Sequence, residues 1–329
     1  MKKILMLTTG GTIASLPSDE GLAPTGAGTI LSHLGPAAAN YDITTKEILT
    51  LDSTNIQPEE WKIIAGAIYE SVRDYDGIVV THGTDTMAYT SSMMSFMLRN
   101  VPIPVVFTGS QVPIAQPLSD APLNLSCAFA MAASSTPGVF VAFDRKIILG
   151  CRAVKVRTTA FDAFESVNYD YAGQVNSSGL VLNYAAIPPQ NGACVLEDTV
   201  DSDVYLLKLT PGTNPKLVDL MIEAGCHGIV IEAFGIGGLQ FVRRDFVSKI
   251  EKAIDAGIPV VVCSQCLYER SDFSVYQVGQ KALAKGAIQG FDMTREAAVT
   301  KLMWALGHTR NLDEVRAIFH TNMAGEITL

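Results

Sequence analysis

The sequence predicts two α/β domains, each a mostly parallel sheet flanked by helices, the larger N-terminal one of flavodoxin-like or doubly wound character. Three observations carry that expectation. Short apolar runs rich in β-branched residues alternate with stretches of helical periodicity along the chain, the pattern of repeated strand–helix–strand units. The length of 329 residues suits roughly two domains. Between 188 and 203 the alternation gives way to PPQNGA and EDTVDSD, polar loop chemistry without periodicity. The expected layout is therefore a larger domain over 1–187, a linker over 188–203 and a smaller domain over 204–329.

Each element follows from local pattern. Residues 3–7, apolar from Ile4 to Leu7, read as a first strand. Trp61, Ile64, Ala65 and Ile68 recur at helical spacing, so 58–75 reads as an amphipathic helix. A strand is expected at 77–80, a helix at 86–98, a strand at 103–107, a helix at 124–133 and a strand at 138–143. Beyond the linker, strands are expected at 204–209, 228–232 and 258–263, with helices at 217–224 and 243–256 between them. Three helices close the chain, at 276–285, 294–305 and 313–319. No solenoid-type repeat or low-complexity segment interrupts this order.

Composition excludes several classes. A hydrophobic fraction of 48% with 17% charged residues supports a sizeable core. The net charge of −9 argues against a protein that tracks nucleic-acid phosphates, which needs a basic stripe. The apolar runs are far shorter than a bilayer span, so no membrane partner is expected. The run behind Met1-Lys2-Lys3 reaches Thr8-Thr9-Gly10-Gly11 too soon for a secretory signal, which points to the cytoplasm. Six scattered cysteines do not make a disulfide framework, and the Cys263/Cys266 pair lacks the second pair a zinc site wants. The histidines at 33, 82, 227, 308 and 320 show no ligand spacing. No metal is implied.

In open α/β sheets, sites form outside the carboxyl ends of strands. Two such ends carry unusual chemistry. The first strand runs into Thr8-Thr9-Gly10-Gly11-Thr12-Ile13-Ala14-Ser15, and the 77–80 strand into Thr81-His82-Gly83-Thr84-Asp85-Thr86. Paired glycines let backbone approach a ligand, Thr12 and Thr84 offer hydroxyls, and Asp85 a carboxylate able to hold an ammonium group. Each motif alone is weak, and a lone Gly-Gly-Thr reads better as a tight turn with a helix cap. Neither dinucleotide nor P-loop glycine spacing is present. A hydroxyl becomes a nucleophile only when a base takes its proton. His82 and a buried lysine such as Lys155 are the available bases.

The motifs TTGGTIAS and THGTDTMAYT, together with AVKVRTTAFDAFES, resemble those of the cytoplasmic (type I) bacterial asparaginases of the asparaginase/glutaminase family. The resemblance runs nearly end to end, through LDSTNIQPEEW, VFTGSQVPI, KLMWALG and GLAP. It implies an L-asparagine amidohydrolase that releases ammonia and L-aspartate through a threonine acyl-enzyme, without a cofactor, and with weak activity on glutamine. Carried over by motif, Thr12 is the nucleophile, and Thr84, Lys155 and Asp85 form a hydrogen-bonded group. Ser53, with Thr54 beside it, binds the substrate carboxylate, and Asp85 the α-ammonium. Main-chain groups of Gly11 and Thr84 are expected at the oxyanion.

The sequence departs from the family pattern at Leu22, near a position where many members carry a tyrosine that helps activate the nucleophile. A water, or a relay through Thr84 and Lys155, are the open choices for taking the Thr12 proton. The resemblance further implies a dimer or tetramer, with Gly235-Ile236-Gly237-Gly238 as the region that approaches a partner's site. In some members a second, regulatory asparagine site lies in the neighbourhood of Glu232 and Ser264-Gln265-Cys266. Two other readings compete. An amidotransferase component acting on misacylated tRNA carries an asparaginase-like domain behind an extra N-terminal one, and an amino-acid sensor would need Ser53 and Asp85 but not the two threonines with Lys155.

Overall fold

A computed structural model describes residues 1–18, 21–24, 30 and 35–328. The chain divides into two compact units, Met1–Asp198 and Thr199–Leu329.

The strands of the first unit are β1 (Lys2–Gly10), β2 (Ser15–Ser18), β3 (Gly21–Pro24), β4 (Tyr41–Leu51), β5 (Gly77–Thr81), β6 (Leu98–Arg99), β7 (Pro104–Thr108), β8 (Gly138–Phe143), β9 (Lys146–Leu149), β10 (Ala153–Lys155), β11 (Phe164–Ser166), β12 (Gly173–Asn176), β13 (Gly179–Leu182) and β14 (Val195–Leu196). Its helices are α1 (Pro58–Ser71), α2 (Met87–Met97) and α3 (Ala121–Ala132). The main sheet has eight strands in the order β13-β12-β9-β8-β7-β5-β1-β4. From β8 to β4 the neighbours are parallel, whereas β9, β12 and β13 extend the sheet antiparallel. Counted along the chain, the parallel strands lie in the order 2-1-3-4-5, the flavodoxin-like arrangement, whose switch point falls between the first and third strands. Those are β1 and β5.

Sequence explains why these strands sit at the centre. Ile4, Leu5, Met6 and Leu7 are at most 2% exposed, and every residue of β5, β7 and β8 is buried. Each such aliphatic side chain contributes on the order of 2 kcal/mol of burial. Helix α1 begins with Pro58 behind a capping box in which Gln57 and Glu60 satisfy each other's backbone amides. Nearly every residue of α2 is buried. Phe129 of α3 stacks on Tyr41 of β4, with ring centroids 5.8 Å apart.

In the second unit β15 (Val204–Lys208), β16 (Gly228–Ala233), β17 (Val260–Ser264) and β18 (Ile288–Gln289) form a four-stranded, wholly parallel sheet in chain order. Its helices are α4 (Lys216–Glu223), α5 (Phe246–Asp255), α6 (Gln277–Ala284), α7 (Arg295–His308) and α8 (Leu312–Phe319). Leu207, Ile229, Ile231, Val260 and Val262 share a core with Val218, Phe246, Ile250 and Ala282. Lys301 of α7 and Glu326 form an ion pair with no exposed side-chain surface, and the lysine also donates to the Thr321 carbonyl at 2.7 Å. That pair ties the last residues to α7.

The stretch expected as a featureless linker is not wholly irregular, since β14 lies within it and pairs antiparallel with β6. Its polar character hid a two-residue strand. No helix among the described residues is long and apolar enough to cross a membrane.

Candidate active site

Register brings the two threonine motifs together. Thr8 of β1 stands opposite Thr81 of β5, and the Thr9 hydroxyl donates to the Thr81 carbonyl at 3.0 Å. Gly10 and Gly11 then turn with φ of 103° and 79°, values that L side chains tolerate poorly. Space forbids a side chain as well. A Cβ on Gly11 would lie 2.4 Å from the Gly83 nitrogen, and one on Gly83 would lie 2.6 Å from the Ser53 hydroxyl oxygen. Three segments therefore meet backbone to backbone: the end of β1, the end of β5 and the short 3₁₀ turn Ser53–Asn55 that follows β4. All three sit at the switch point of the sheet.

Thr12 opens a 3₁₀ turn over Thr12–Ala14 and is half-buried. Thr84 is 5% exposed and accepts a hydrogen bond from the Lys155 ammonium at 2.7 Å. The same ammonium donates to Asp85 Oδ1 at 2.7 Å, with the lysine side chain 18% exposed and the aspartate 58%. So exposed a partner makes this ion pair worth little to stability. Its effect is to aim the lysine. The second Asp85 oxygen remains for a cationic ligand.

Lys155 reaches this place on a ribbon outside the main sheet. β10 pairs antiparallel with β11, Lys155 opposite Phe164, and Phe164 packs on Phe143 of β8 with centroids 4.9 Å apart. Glu165 braces the ribbon. Its carboxylate accepts from Lys146 at 3.0 Å, Arg157 at 3.2 Å and the Tyr171 hydroxyl at 2.5 Å. Partial burial works to raise the Glu165 pKa, and these bonds outweigh it, holding the carboxyl below the ordinary range. At the ribbon's base, the Arg152 guanidinium is fully buried and lies over the Tyr169 ring.

Ser53 is buried, and its carbonyl takes the Thr86 hydroxyl at 2.6 Å. Thr54, placed with it by motif, is exposed and turns its hydroxyl to Asp52 at 2.7 Å, as its amide does at 2.8 Å. It caps the turn.

One expectation is corrected. The Gly11 amide donates to the Leu51 carbonyl at 3.0 Å, so it is not the oxyanion donor the motif suggested. Gly11 contributes its missing Cβ instead. His82, the only histidine in either motif, is fully buried with both ring nitrogens engaged: Nδ1 lies 2.7 Å from the Gly83 carbonyl and Nε2 3.0 Å from the Thr90 hydroxyl. Burial pushes its imidazolium down to about 4. It braces Gly83 and is no base at neutral pH.

Sequence reasoning overlooked Gln111. It follows β7, and its side chain meets both Thr84 and the tip of the Lys155 ribbon. The Leu22 side chain lies outside the described residues. Among those residues one group has ligand-like geometry for a metal: Asp201, Asp203 and His227, in the second unit. Arg310 already contacts Asp201 and His227 there, which supplies the group with a cation. Cys263 is buried, its thiol pushed up to about 12 by desolvation, and Cys266 is exposed.

Comparison with known proteins decides the family. The family model described as "Asparaginase, N-terminal" matches residues 3–188, and "Glutaminase/Asparaginase C-terminal domain" matches 203–319. The chain belongs to the asparaginase family. An L-asparaginase of Thermococcus kodakarensis is 45% identical over 330 residues, covering 99% of each chain. A solved structure of the thermostable L-asparaginase from the same organism superposes with a TM-score of 0.94 over 99% of each chain. L-asparaginase I from Vibrio cholerae, 30% identical, superposes at 0.88 over 100% of this chain and 99% of its own. A glutamyl-tRNA(Gln) amidotransferase component from Pyrococcus abyssi is 36% identical over 341 residues, which span 100% of this chain and 77% of that protein.

Within this family, the region around Glu232 was a candidate second site. Glu232 is buried at the end of β16, 3.7 Å from the Lys208 ammonium and 3.5 Å from the Arg295 guanidinium. Its charge is met from within the unit.

Proposed function

We propose that this asparaginase-family chain hydrolyses the side-chain amide of L-asparagine to L-aspartate and ammonia, as a cytoplasmic type I member working without a cofactor. One observation carries the reading most directly: a buried threonine hydroxyl, a lysine ammonium and a carboxylate in hydrogen-bonded sequence, at the strand ends where Gly11, Gly83 and Ser53 converge.

The chemistry follows from that set. Ser53 and Asp85 hold the two charged ends of the amino-acid head group, which fixes how far the side-chain carbonyl reaches. The Thr12 oxygen attacks the carbonyl carbon, and the Thr84 main-chain N–H faces the oxyanion that develops. Collapse breaks the C–N bond as the proton given up by the Thr12 hydroxyl passes to the leaving nitrogen, which departs as ammonia. An ester between Thr12 and the aspartyl group remains. Lys155, as its free amine, then takes the Thr84 proton while Thr84 takes one from the water that attacks the ester. As the ester C–O bond breaks that proton goes to the Thr12 oxygen, and aspartate departs with Thr12 restored. A head-group site of this kind rejects ligands lacking the charges more than it rejects one extra methylene, so glutamine is a weaker substrate. The chain acts as a dimer or tetramer on this reading, which light scattering in solution tests.

The likeness to the tRNA amidotransferase component keeps one alternative in view. Coupled assays of ammonia and aspartate release from asparagine, beside ammonia release from glutamine with and without misacylated tRNA, separate the two. Asparagine turnover that ignores tRNA is expected. Glutamine turnover that depends on misacylated tRNA would replace this reading.

A further inference from the structure

Among the described residues two side chains meet the Thr84 hydroxyl: Lys155 Nζ at 2.7 Å and Gln111 Oε1 at 3.3 Å. The Gln111 amide cannot be the other way round. Its nitrogen donates to the carbonyls of Thr158 at 3.0 Å and Ala160 at 3.2 Å, and carbonyls only accept. The oxygen therefore faces Thr84, and the Thr84 hydrogen points at it. The threonine's lone pairs are left to the lysine.

Gln111 is itself held. Its main-chain N–H donates to both oxygens of the Asp120 carboxylate, at 3.1 and 3.0 Å. Asp120 is buried, and it also takes the Val112 amide at 3.1 Å and the Asn124 side-chain amide at 3.0 Å. Residues 158 and 160 lie between β10 and β11, at the tip of the ribbon that carries Lys155. One amide thus ties the Thr84 hydroxyl to the ribbon of its lysine.

We propose that Gln111 is a positioning residue for the hydrolytic step, an inference that rests on the function proposed above. When Lys155, as its free amine, takes the Thr84 proton and Thr84 receives one from the attacking water, the lysine becomes an ammonium and donates to the threonine oxygen. The new hydroxyl hydrogen then needs an acceptor elsewhere, and Gln111 Oε1 is placed to be it. Gln111 stabilises the arrangement formed after proton transfer and does not touch the substrate.

The test is steady-state asparagine kinetics on the full-length protein, with thermal melting of each variant. Q111M keeps the length of the side chain and removes both acceptor and donors. It lowers kcat by about tenfold, the rate equivalent of one neutral hydrogen bond, with KM held within about twofold. Q111E keeps an acceptor towards Thr84 but loses the donors to the ribbon, and recovers at least about a third of the lost logarithmic rate. A Q111M kcat within about twofold of wild type overturns the proposal, as does a loss confined to KM. Q111E no faster than Q111M also overturns it, because Gln111 would then be only a clamp on the ribbon; should Q111M melt before the assay temperature, the Q111E comparison with wild type decides alone. A wild-type protein that releases no ammonia from asparagine sinks the proposed function instead, before any variant is made.

Discussion

His82 offers a prediction in which one buried group can be followed by pH. Its ring is fully buried beneath the site, donates from Nδ1 to the Gly83 carbonyl and receives the Thr90 hydroxyl at Nε2. Thr90 in turn takes the Trp61 indole N–H at 3.1 Å. Every hydrogen in this network is used by a neutral ring, and protonating Nε2 would set a donor against the Thr90 hydrogen and a charge in an apolar cavity. The imidazolium is pushed from 6.5 to about 4 by that burial. Between those values the unfolded chain binds a proton that the folded chain refuses, so stability falls as pH falls. The contribution is fully present above about pH 6.5 and lost by about pH 4, and the interval is worth roughly 3 kcal/mol. H82Q keeps a donor towards Gly83 and cannot titrate. Urea denaturation of both proteins from pH 7 to pH 4 isolates the group, because other titrations cancel in the difference. Wild type should lead H82Q at pH 7 and lose roughly 3 kcal/mol of that lead by pH 4. A lead that is constant with pH would show that His82 does not sit neutral in the fold.

Three further outcomes follow from the site and the core. K155M removes the ammonium that serves Thr84 and Asp85, and should cut kcat by about 10² to 10⁴ while the melting temperature moves little; a rate within about tenfold of wild type contradicts its role. D85A takes away both the lysine's anchor and the carboxylate offered to the substrate ammonium, so KM rises and kcat falls together in the same assay, and an unchanged KM removes Asp85 from head-group binding. K301M leaves the Glu326 carboxylate buried without its cation, with both side chains at 0% exposure in the wild type and the Met323 and Ala324 amides remaining to it, and should cost about 3 to 5 kcal/mol by urea denaturation. K301M/E326Q removes the charge while keeping an acceptor for the Met323 and Ala324 amides and recovers most of that loss; a double variant as unstable as K301M would mean that packing, not the stranded charge, carries the cost.

Much of the fold was legible because burial writes itself into the chain. β1, β5, β7 and β8 are buried on both faces and appear as unbroken apolar runs. β4 was not legible: it is an edge strand with an open face, and YDITTKEILTL looks polar although it pairs with β1 over most of its length. β9, β12 and β13 are short and antiparallel, and β18 is two residues long, too little for a period to show. The helices were expected to within a few residues, since their ends depend on caps rather than on the apolar stripe. At the site, the paired glycines and threonines could be read, but their meeting depended on β1 and β5 being neighbours, which strand order decides. Gln111 left no such signal. A glutamine after a strand has no distinctive chemistry until the fold sets it between Thr84 and the loop at 158–160. His82 is a base by residue type alone, which burial disarms.

The mechanism turns on which oxygen carries the aspartyl group. Mixing the protein with asparagine, quenching in acid within the first turnovers and mapping the adduct by peptide mass spectrometry measures that directly, and T84A or K155M lengthens the window by slowing ester hydrolysis. The mass of one aspartyl group on the peptide bearing Thr12, absent in T12A, is the result expected here. The adduct on Thr84, or ammonia released at full rate by T12A, would contradict it.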